Sequence, residues 1–258
     1  MNAIRKATVG DAPRIIGLVQ AAFKDYNLEM MIYGCQGILK FVENSLMQQA
    51  HISDSVMYVA EQNGLIIAVA QFKKVPSTNT LYLNYICTDN NFRGTGLGKK
   101  VLRYSILSEQ NDYEYIALDV FENNEIAKSW YLNLGFSPNE TKFWYVSETQ
   151  PIKDIKSVIS GLPHSIVTQR EYGFSQISVE TSCGSYSVGL LGSKYYRASD
   201  KNIMNDKNAI AALHEFAPGR LLILISSDFD PSSSFLDVKF VQKSVNMSTK
   251  TKDLVQRI

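Results

Sequence analysis

Apolar side chains recur with two different periods along the chain, and the period changes where turn residues fall. Alternating or continuous apolar runs predict strands over Ile4–Thr8, Val56–Ala60, Leu65–Lys73, Leu81–Thr88, Tyr115–Phe121 and Lys142–Ser147. Asn63-Gly64, between the second and third runs, signals a tight hairpin. Helical spacing intervenes. Asp11 and Pro13 precede Ile15, Ile16, Val19, Ala22 and Phe23, which predicts an N-capped helix reaching about Tyr26. Leu39, Val42, Leu46 and Met47 predict a second helix over Ile38–Gln49. Two more are predicted over Leu97–Glu109 and Glu125–Leu134, the last closed by Gly135. Strands alternating with helices in this way predict an α/β fold, a mixed sheet covered by helices.

The pattern lapses from Glu148 to Lys156, around Pro151, and a boundary is placed there, giving domains 1–150 and 151–258. The second part reads as a smaller α+β domain. Strands are expected near Ser165–Arg170, Phe174–Val179, Ser185–Leu191, Arg220–Ser226 and Leu236–Gln242, with a helix near Asp206–Phe216. Pro231 and Ser232–Ser234 read as a loop, and the polar tail from Met247 as frayed. Three strands, a helix and a strand follow one another in both halves, but that succession is too generic to mark a duplication.

Composition narrows the class. The chain has 258 residues, 45% of them hydrophobic and 20% charged, which is ordinary for a packed protein. Its formal charge of +1 gives no general attraction to nucleic acid or to an anionic membrane. The longest apolar run, Leu65–Ala70, is strand-sized, and no apolar stretch follows Arg5 and Lys6 as a secretory signal requires. Cys35, Cys87 and Cys183 lack disulfide-framework or CxxC spacing, and His51, His164 and His214 lack ligand spacing. The expectation is a soluble, cytoplasmic, metal-free protein.

The most informative stretch is Ile86-Cys87-Thr88-Asp89-Asn90-Asn91-Phe92-Arg93-Gly94-Thr95-Gly96-Leu97-Gly98-Lys99-Lys100. A strand enters a turn with glycines at alternate positions, and a helix begins at once. Such a turn lets successive amides converge on an anion, and the helix start adds unpaired N–H groups and partial positive charge. A plain tight turn is the competing reading. A Walker loop would need Ser or Thr after a Gly-Lys pair, and the dinucleotide fingerprint has a different glycine interval.

Arg93-x-x-Gly96-x-Gly98 resembles the pyrophosphate-cradling signature of the GNAT superfamily of N-acetyltransferases, with Phe92 as the preceding aromatic. A second motif lies downstream. Val120, Asn124, Ala127, Tyr131, Gly135 and Phe136 carry a pattern similar to the family's fifth strand and following helix. Asn124, Ala127 and Tyr131 are three and four apart, hence on one helix face. The resemblance covers residues 1 to about 150. It implies a GNAT-type mixed sheet whose fourth strand splays from its neighbour, and acetyl-CoA as co-substrate.

By the same resemblance, the cofactor contacts are Ile86, Cys87, Thr88, Arg93, Gly94, Thr95, Gly96, Leu97, Gly98, Lys99, Asn124, Ala127 and Tyr131. The resemblance makes Tyr131 the general acid that protonates the departing thiolate; a core-edge tyrosine is the bland alternative. Asp119, where related enzymes carry a Glu, is the candidate base, against a purely structural carboxylate. Glu122 is a second candidate, and Asn84, Tyr85 and Glu122 are expected to line the acceptor site. Cys87 reads as a packing cysteine, because no His or helix start stands beside it. Lys99 and Lys100 read equally well as a solvated helix face. His214, Met30-Met31 with Met47, and Tyr195-Tyr196-Arg197 are taken as packing residues. Asp25 to Gly37 sits where the family builds acceptor specificity. The implied function is acetyl transfer to a primary amine of a small molecule or protein N-terminus, in a direct ternary complex. A non-catalytic acyl-CoA-binding module is the runner-up. The second domain stays open as a degenerate half of the same fold, a substrate domain or a homodimer contact.

Overall fold

The computed structural model describes residues 3–23, 25–49, 54–109, 113–153 and 157–258. His51 and Lys156, named above, lie outside the described residues. In chain order the first elements are β1 (Ala3–Lys6), α1 (Ala12–Ala22), α2 (Asp25–Glu29), α3 (Ile38–Gln48), β2 (Ser55–Gln62) and β3 (Leu65–Val75). Next come β4 (Thr80–Thr88), α4 (Leu97–Glu109), β5 (Tyr115–Phe121), α5 (Glu125–Asn133) and β6 (Ser137–Glu148). The remainder is β7 (Ser157–Ser160), α6 (Leu162–Tyr172), β8 (Phe174–Thr181), β9 (Ser185–Leu191), β10 (Tyr195–Ala198), α7 (Lys207–Phe216), β11 (Leu221–Ser226), β12 (Lys239–Lys250) and α8 (Thr251–Arg257).

Two compact units result. The first comprises Met1–Lys24, Leu39–Glu140 and Val245–Ile258, and the second Asp25–Ile38 and Thr141–Ser244. A single cut near residue 150 therefore does not describe the division, because the chain returns to its first unit at the end. In that unit β1, β2, β3 and β4 pair antiparallel in succession, and β4 pairs parallel with β5. The hairpin at Asn63-Gly64 has φ of 53° and 77°, the left-handed pair that a two-residue turn between twisted strands requires. The core packs Tyr58, Ile67, Phe72, Leu81, Leu102, Ile106, Ile116 and Leu118 together with Val245, Met247 and Leu254. The tail is not frayed. Thr251 N donates to Glu114 O at 2.9 Å, and Arg103 Nη1 donates to Val255 O at 2.8 Å.

The second unit repeats the first unit's connectivity. β7, β8, β9 and β10 pair antiparallel in succession, and β10 pairs parallel with β11. A crossover helix, α7, lies between the two parallel strands in sequence, as α4 lies between β4 and β5. The generic succession of elements is thus a repeated topology. The strand expected near Ser165–Arg170 is part of helix α6. Gly161 and Gly173, both at left-handed φ, bracket that helix, and Pro163 stands in its first turn. These end signals outweigh the β-branched Ile166, Val167 and Thr168. Among the described residues no helix is long and apolar enough to cross a membrane.

Candidate functional site

The site is built around the C-terminal end of β4. The β3–β4 ladder shifts register between Gln71 and Phe72: Phe72 faces Leu83, Gln71 faces Tyr85, and Asn84 is the extra residue. Such a bulge bends a strand and sharpens its twist. On the other side, β4 and β5 pair only from Thr80↔Tyr115 to Leu83↔Leu118. The two strands then part. Asn84–Thr88 and Asp119–Phe121 have no ladder partner in each other among the described residues. This is the splay that the sequence resemblance implied, and the bulge at Asn84 coincides with its start. Asn84 is exposed, and Tyr85, Ile86 and Thr88 are half-buried.

Beyond Thr88 the chain turns sharply. Asp89 accepts a hydrogen bond from Asn91 N at 2.9 Å and pairs with Arg14, which also donates to Ile66 O at 2.9 Å. The Asn91 amide and the Arg14 guanidinium hold the Asp89 carboxyl below its usual range. Thr95 Oγ1 donates to Phe92 O at 2.7 Å. Gly94 and Gly96 adopt φ of 76° and 77°, and a Cβ built on either would meet nothing within 4 Å. Helix α4 starts at Leu97, with Lys100 N donating to Gly96 O at 3.1 Å. The amides from Gly94 to Lys99 have no hydrogen-bond acceptor among the described residues. Leu97 is buried and anchors the helix, while Arg93, Thr95 and Lys99 are exposed around the open amides. A helix start with open amides of this kind is able to take up an anion, and the donors present would suit a diphosphate.

Helix α5 brings up the second motif. Asn124 is its N-cap, with Oδ1 accepting from Ala127 N at 3.2 Å. Its side-chain carbonyl thereby caps the helix, and Nδ2 is the group of this side chain able to donate elsewhere. Ala127 is half-buried, and Tyr131, one turn on, is 7% exposed. The Tyr131 ring packs between Trp130 (5.1 Å) and Phe136 (5.5 Å between centroids). Burial, reinforced by Cys87, pushes its phenol well above the usual range, so it stays protonated at neutral pH. Burial likewise raises the Cys87 thiol to about 12, against an opposing pull from Arg93. A thiol held so firmly protonated suits packing, not nucleophilic attack.

Asp119 is exposed near the end of β5, and Asn246 Nδ2 donates to its Oδ1 at 2.9 Å and to Leu118 O at 3.2 Å. Asn246 Oδ1 in turn accepts from Asn139 Nδ2 at 3.0 Å. Glu122 is exposed after β5. Phe23 meets Tyr85 and Phe121 edge-on, at 6.0 and 6.4 Å. Sequence reasoning missed Arg14, Asn139 and Asn246 as site-supporting residues, and it placed Phe23 only on a helix face. Arg14 and Asn246 stand 75 and 127 residues from Asp89 and Asp119, so no local pattern signals either pair. Residues 25–37 belong to the second unit, where Lys194 Nζ meets Glu29 at 2.6 Å. His214 is half-buried, with Nδ1 3.1 Å from Thr149 O. Among the described residues no group of three His, Cys, Asp or Glu side chains gathers to hold a metal.

Comparison with known proteins places this arrangement. The chain is similar over 97% of its length to a tandem GNAT protein from the clavulanic acid biosynthesis pathway, at TM-score 0.66 and 9% identity, covering 99% of that chain. It is also similar to a GCN5-related N-acetyltransferase from Sphaerobacter thermophilus, at TM-score 0.58 and 14% identity, over 97% of this chain and 96% of the other. At such identities the likeness is one of fold. No curated protein matches the chain in sequence. The family model of the acetyltransferase (GNAT) family matches residues 20–136. The glycine turn, the parting of β4 from β5 and the helix bearing Tyr131 all fall inside that segment, which is similar to the acetyltransferase (GNAT) family.

Proposed function

We propose that the protein transfers an acetyl group from acetyl-CoA to a primary amine of a small molecule or a protein N-terminus, directly within one ternary complex. The observation that carries this reading is a coincidence at one end of β4. An open amide turn and a gap between parallel strands meet there. The turn suits a diphosphate, and the gap suits an extended arm bearing amide groups. Bound acetyl-CoA supplies a thioester carbonyl open to attack by an amine.

The chain's own residues divide the remaining work. Arg93, Gly94, Thr95, Gly96, Leu97, Gly98 and Lys99 hold the diphosphate through backbone amides and positive charge. Ile86, Cys87 and Thr88 pair the arm through backbone groups, and an N–H of this stretch polarises the carbonyl. Asn124 Nδ2 bonds the arm from the other side, with Ala127 leaving room beneath it. Tyr131 delivers its proton to the departing sulfur. Asp119 takes a proton from the incoming ammonium through water, and Asn84, Tyr85 and Glu122 line the acceptor's side. The free thiols of Cys35, Cys87 and Cys183 suit a reducing, cytoplasmic setting.

Two measurements test the reading. Calorimetry should find acetyl-CoA bound tightly and ATP and NAD not. A panel of primary amines and peptides with free N-termini should release free coenzyme A. Binding without turnover across the whole panel would favour a binding module instead.

A further inference from the structure

Helices α4 and α7 hold the same place in the repeated topology. Each follows a strand paired antiparallel with its predecessor and leads to a parallel partner, β4 to β5 and β10 to β11. The turns that lead into them correspond as well. Asp89 accepts from Asn91 N at 2.9 Å and opens a 3-10 turn over Asn90–Phe92. Asp200 accepts from Asn202 N at 2.9 Å and opens a 3-10 turn over Lys201–Asn205.

The correspondence breaks at the residue just before each helix. In the first unit it is Gly96, with φ of 77° and open space where a side chain would stand. In the second it is Asp206, 4% exposed. Its Oδ1 accepts from Asn208 N at 3.0 Å and Ala209 N at 3.1 Å. Its Oδ2 accepts from Tyr186 Oη at 3.1 Å and from Thr181 Oγ1. The helix start that would attract an external anion is already satisfied by a fixed internal one. The strands differ in the same sense. β10 and β11 stay paired along all of β10, from Tyr195↔Leu221 to Ala198↔Leu224, whereas β4 outruns its pairing with β5 by five residues, Asn84–Thr88. No glycine lies between Ala198 and Lys207 to free the amides of the turn.

On the reading that the first unit's turn takes the diphosphate of acetyl-CoA, we infer that Asp206 stands in the second unit where that phosphate would stand. The second unit is then a structural copy closed to acyl-CoA, and the chain carries one acetyl-CoA site despite its doubled topology. Asp206 also ties β8, β9 and α7 together through Thr181, Tyr186 and the helix amides, which gives the carboxylate a structural role in place of a ligand.

Titration calorimetry of the full chain with acetyl-CoA tests this. The expected stoichiometry is one per chain. Gly96→Val, verified as folded by circular dichroism, should weaken that binding at least tenfold and reveal no second class of site. Asp206→Asn should keep one site at unchanged affinity while the protein melts at a lower temperature. Two acetyl-CoA per chain, or a second site that survives Gly96→Val, overturns the inference. No binding by the wild-type chain would instead overturn the reading of the first unit's turn, and is distinguishable from either result.

Discussion

Asn246 Nδ2 donates to Asp119 Oδ1 across 2.9 Å, joining residues 127 apart in the chain. The polarity of this contact is set by its neighbours, since Asn246 Oδ1 is occupied by Asn139 Nδ2 and a carboxylate accepts. The candidate base is therefore held by a side chain of β12. If Asp119 is the base, Asp119→Asn should lower kcat by about 10²-fold or more, the usual range for general acid–base catalysis. Asn246→Ala should lower kcat about tenfold in the wild-type background and have little further effect when added to Asp119→Asn, the non-additivity expected of residues acting together. Equal losses from Asn246→Ala in both backgrounds would make Asn246 a structural residue only.

Tyr131→Phe removes one oxygen and keeps the ring between Trp130 and Phe136. With a true acceptor, kcat and kcat/KM should fall together by about two orders of magnitude, as when a transition-state interaction is lost. On the proposed reading the Arg93–Gly98 turn and the end of β4 supply the binding, so affinity for acetyl-CoA should stay near that of the wild type. Near-normal turnover in this variant would mean that solvent protonates the sulfur. Lost acetyl-CoA binding would make Tyr131 a cofactor contact and not an acid.

A fragment ending at residue 150 should not fold alone, although it contains every cofactor motif. It lacks Val245, Met247 and Leu254, all buried in the first unit's core. Burying such side chains stabilises by roughly 1.5–3 kcal/mol each, against a total stability of about 5–15 kcal/mol for a typical domain. Leu254→Ala in the full chain should cost about 2–5 kcal/mol. Denaturant unfolding followed by circular dichroism measures both, and a soluble, cooperatively folded 1–150 fragment would refute the expectation.

Acid should loosen the first unit through Glu109. This buried carboxylate accepts from Tyr58 Oη at 2.7 Å and meets Lys74 Nζ at 3.0 Å and Lys6 Nζ at 3.4 Å. Burial opposes its ionisation, but Tyr58 and the two lysines outweigh burial and hold the carboxyl below its usual value. A depressed folded value means the stabilisation is present above the unfolded value, near pH ~4.3, and is lost as pH falls through the folded one. Melting temperature plotted against pH should drop less steeply below about pH 4.5 in Glu109→Gln than in the wild type. Parallel curves would show that other groups govern the acid limb.

Much of the site could be read along the chain because its parts are local. The Asn63-Gly64 hairpin, the glycine turn before α4 and the Asn124–Ala127–Tyr131 face each depend on residues only a few positions apart. Local backbone preference and side-chain spacing suffice for such features, and the structure has each of them where the pattern predicted it. Propensity was less reliable where burial did not support it. Ile166 and Val167 are 59% and 58% exposed on α6, so their β-branched shape decided nothing against the Gly161, Pro163 and Gly173 signals at the helix ends.

Only the tertiary structure decided where the ends of the chain belong and what aims the site. The polar tail after Met247 became strand and helix because Met247 and Leu254 found the apolar face left open in the first unit, a surface formed from residues far away in sequence. Arg14 reaches Asp89, and Asn246 reaches Asp119, through the same kind of long-range closure. The repeated topology was hidden for a related reason. Strand pairing depends on which faces are buried together, so two stretches with different residues, Gly96 in one and Asp206 in the other, can share a connectivity while one helix start is left open and the other is filled.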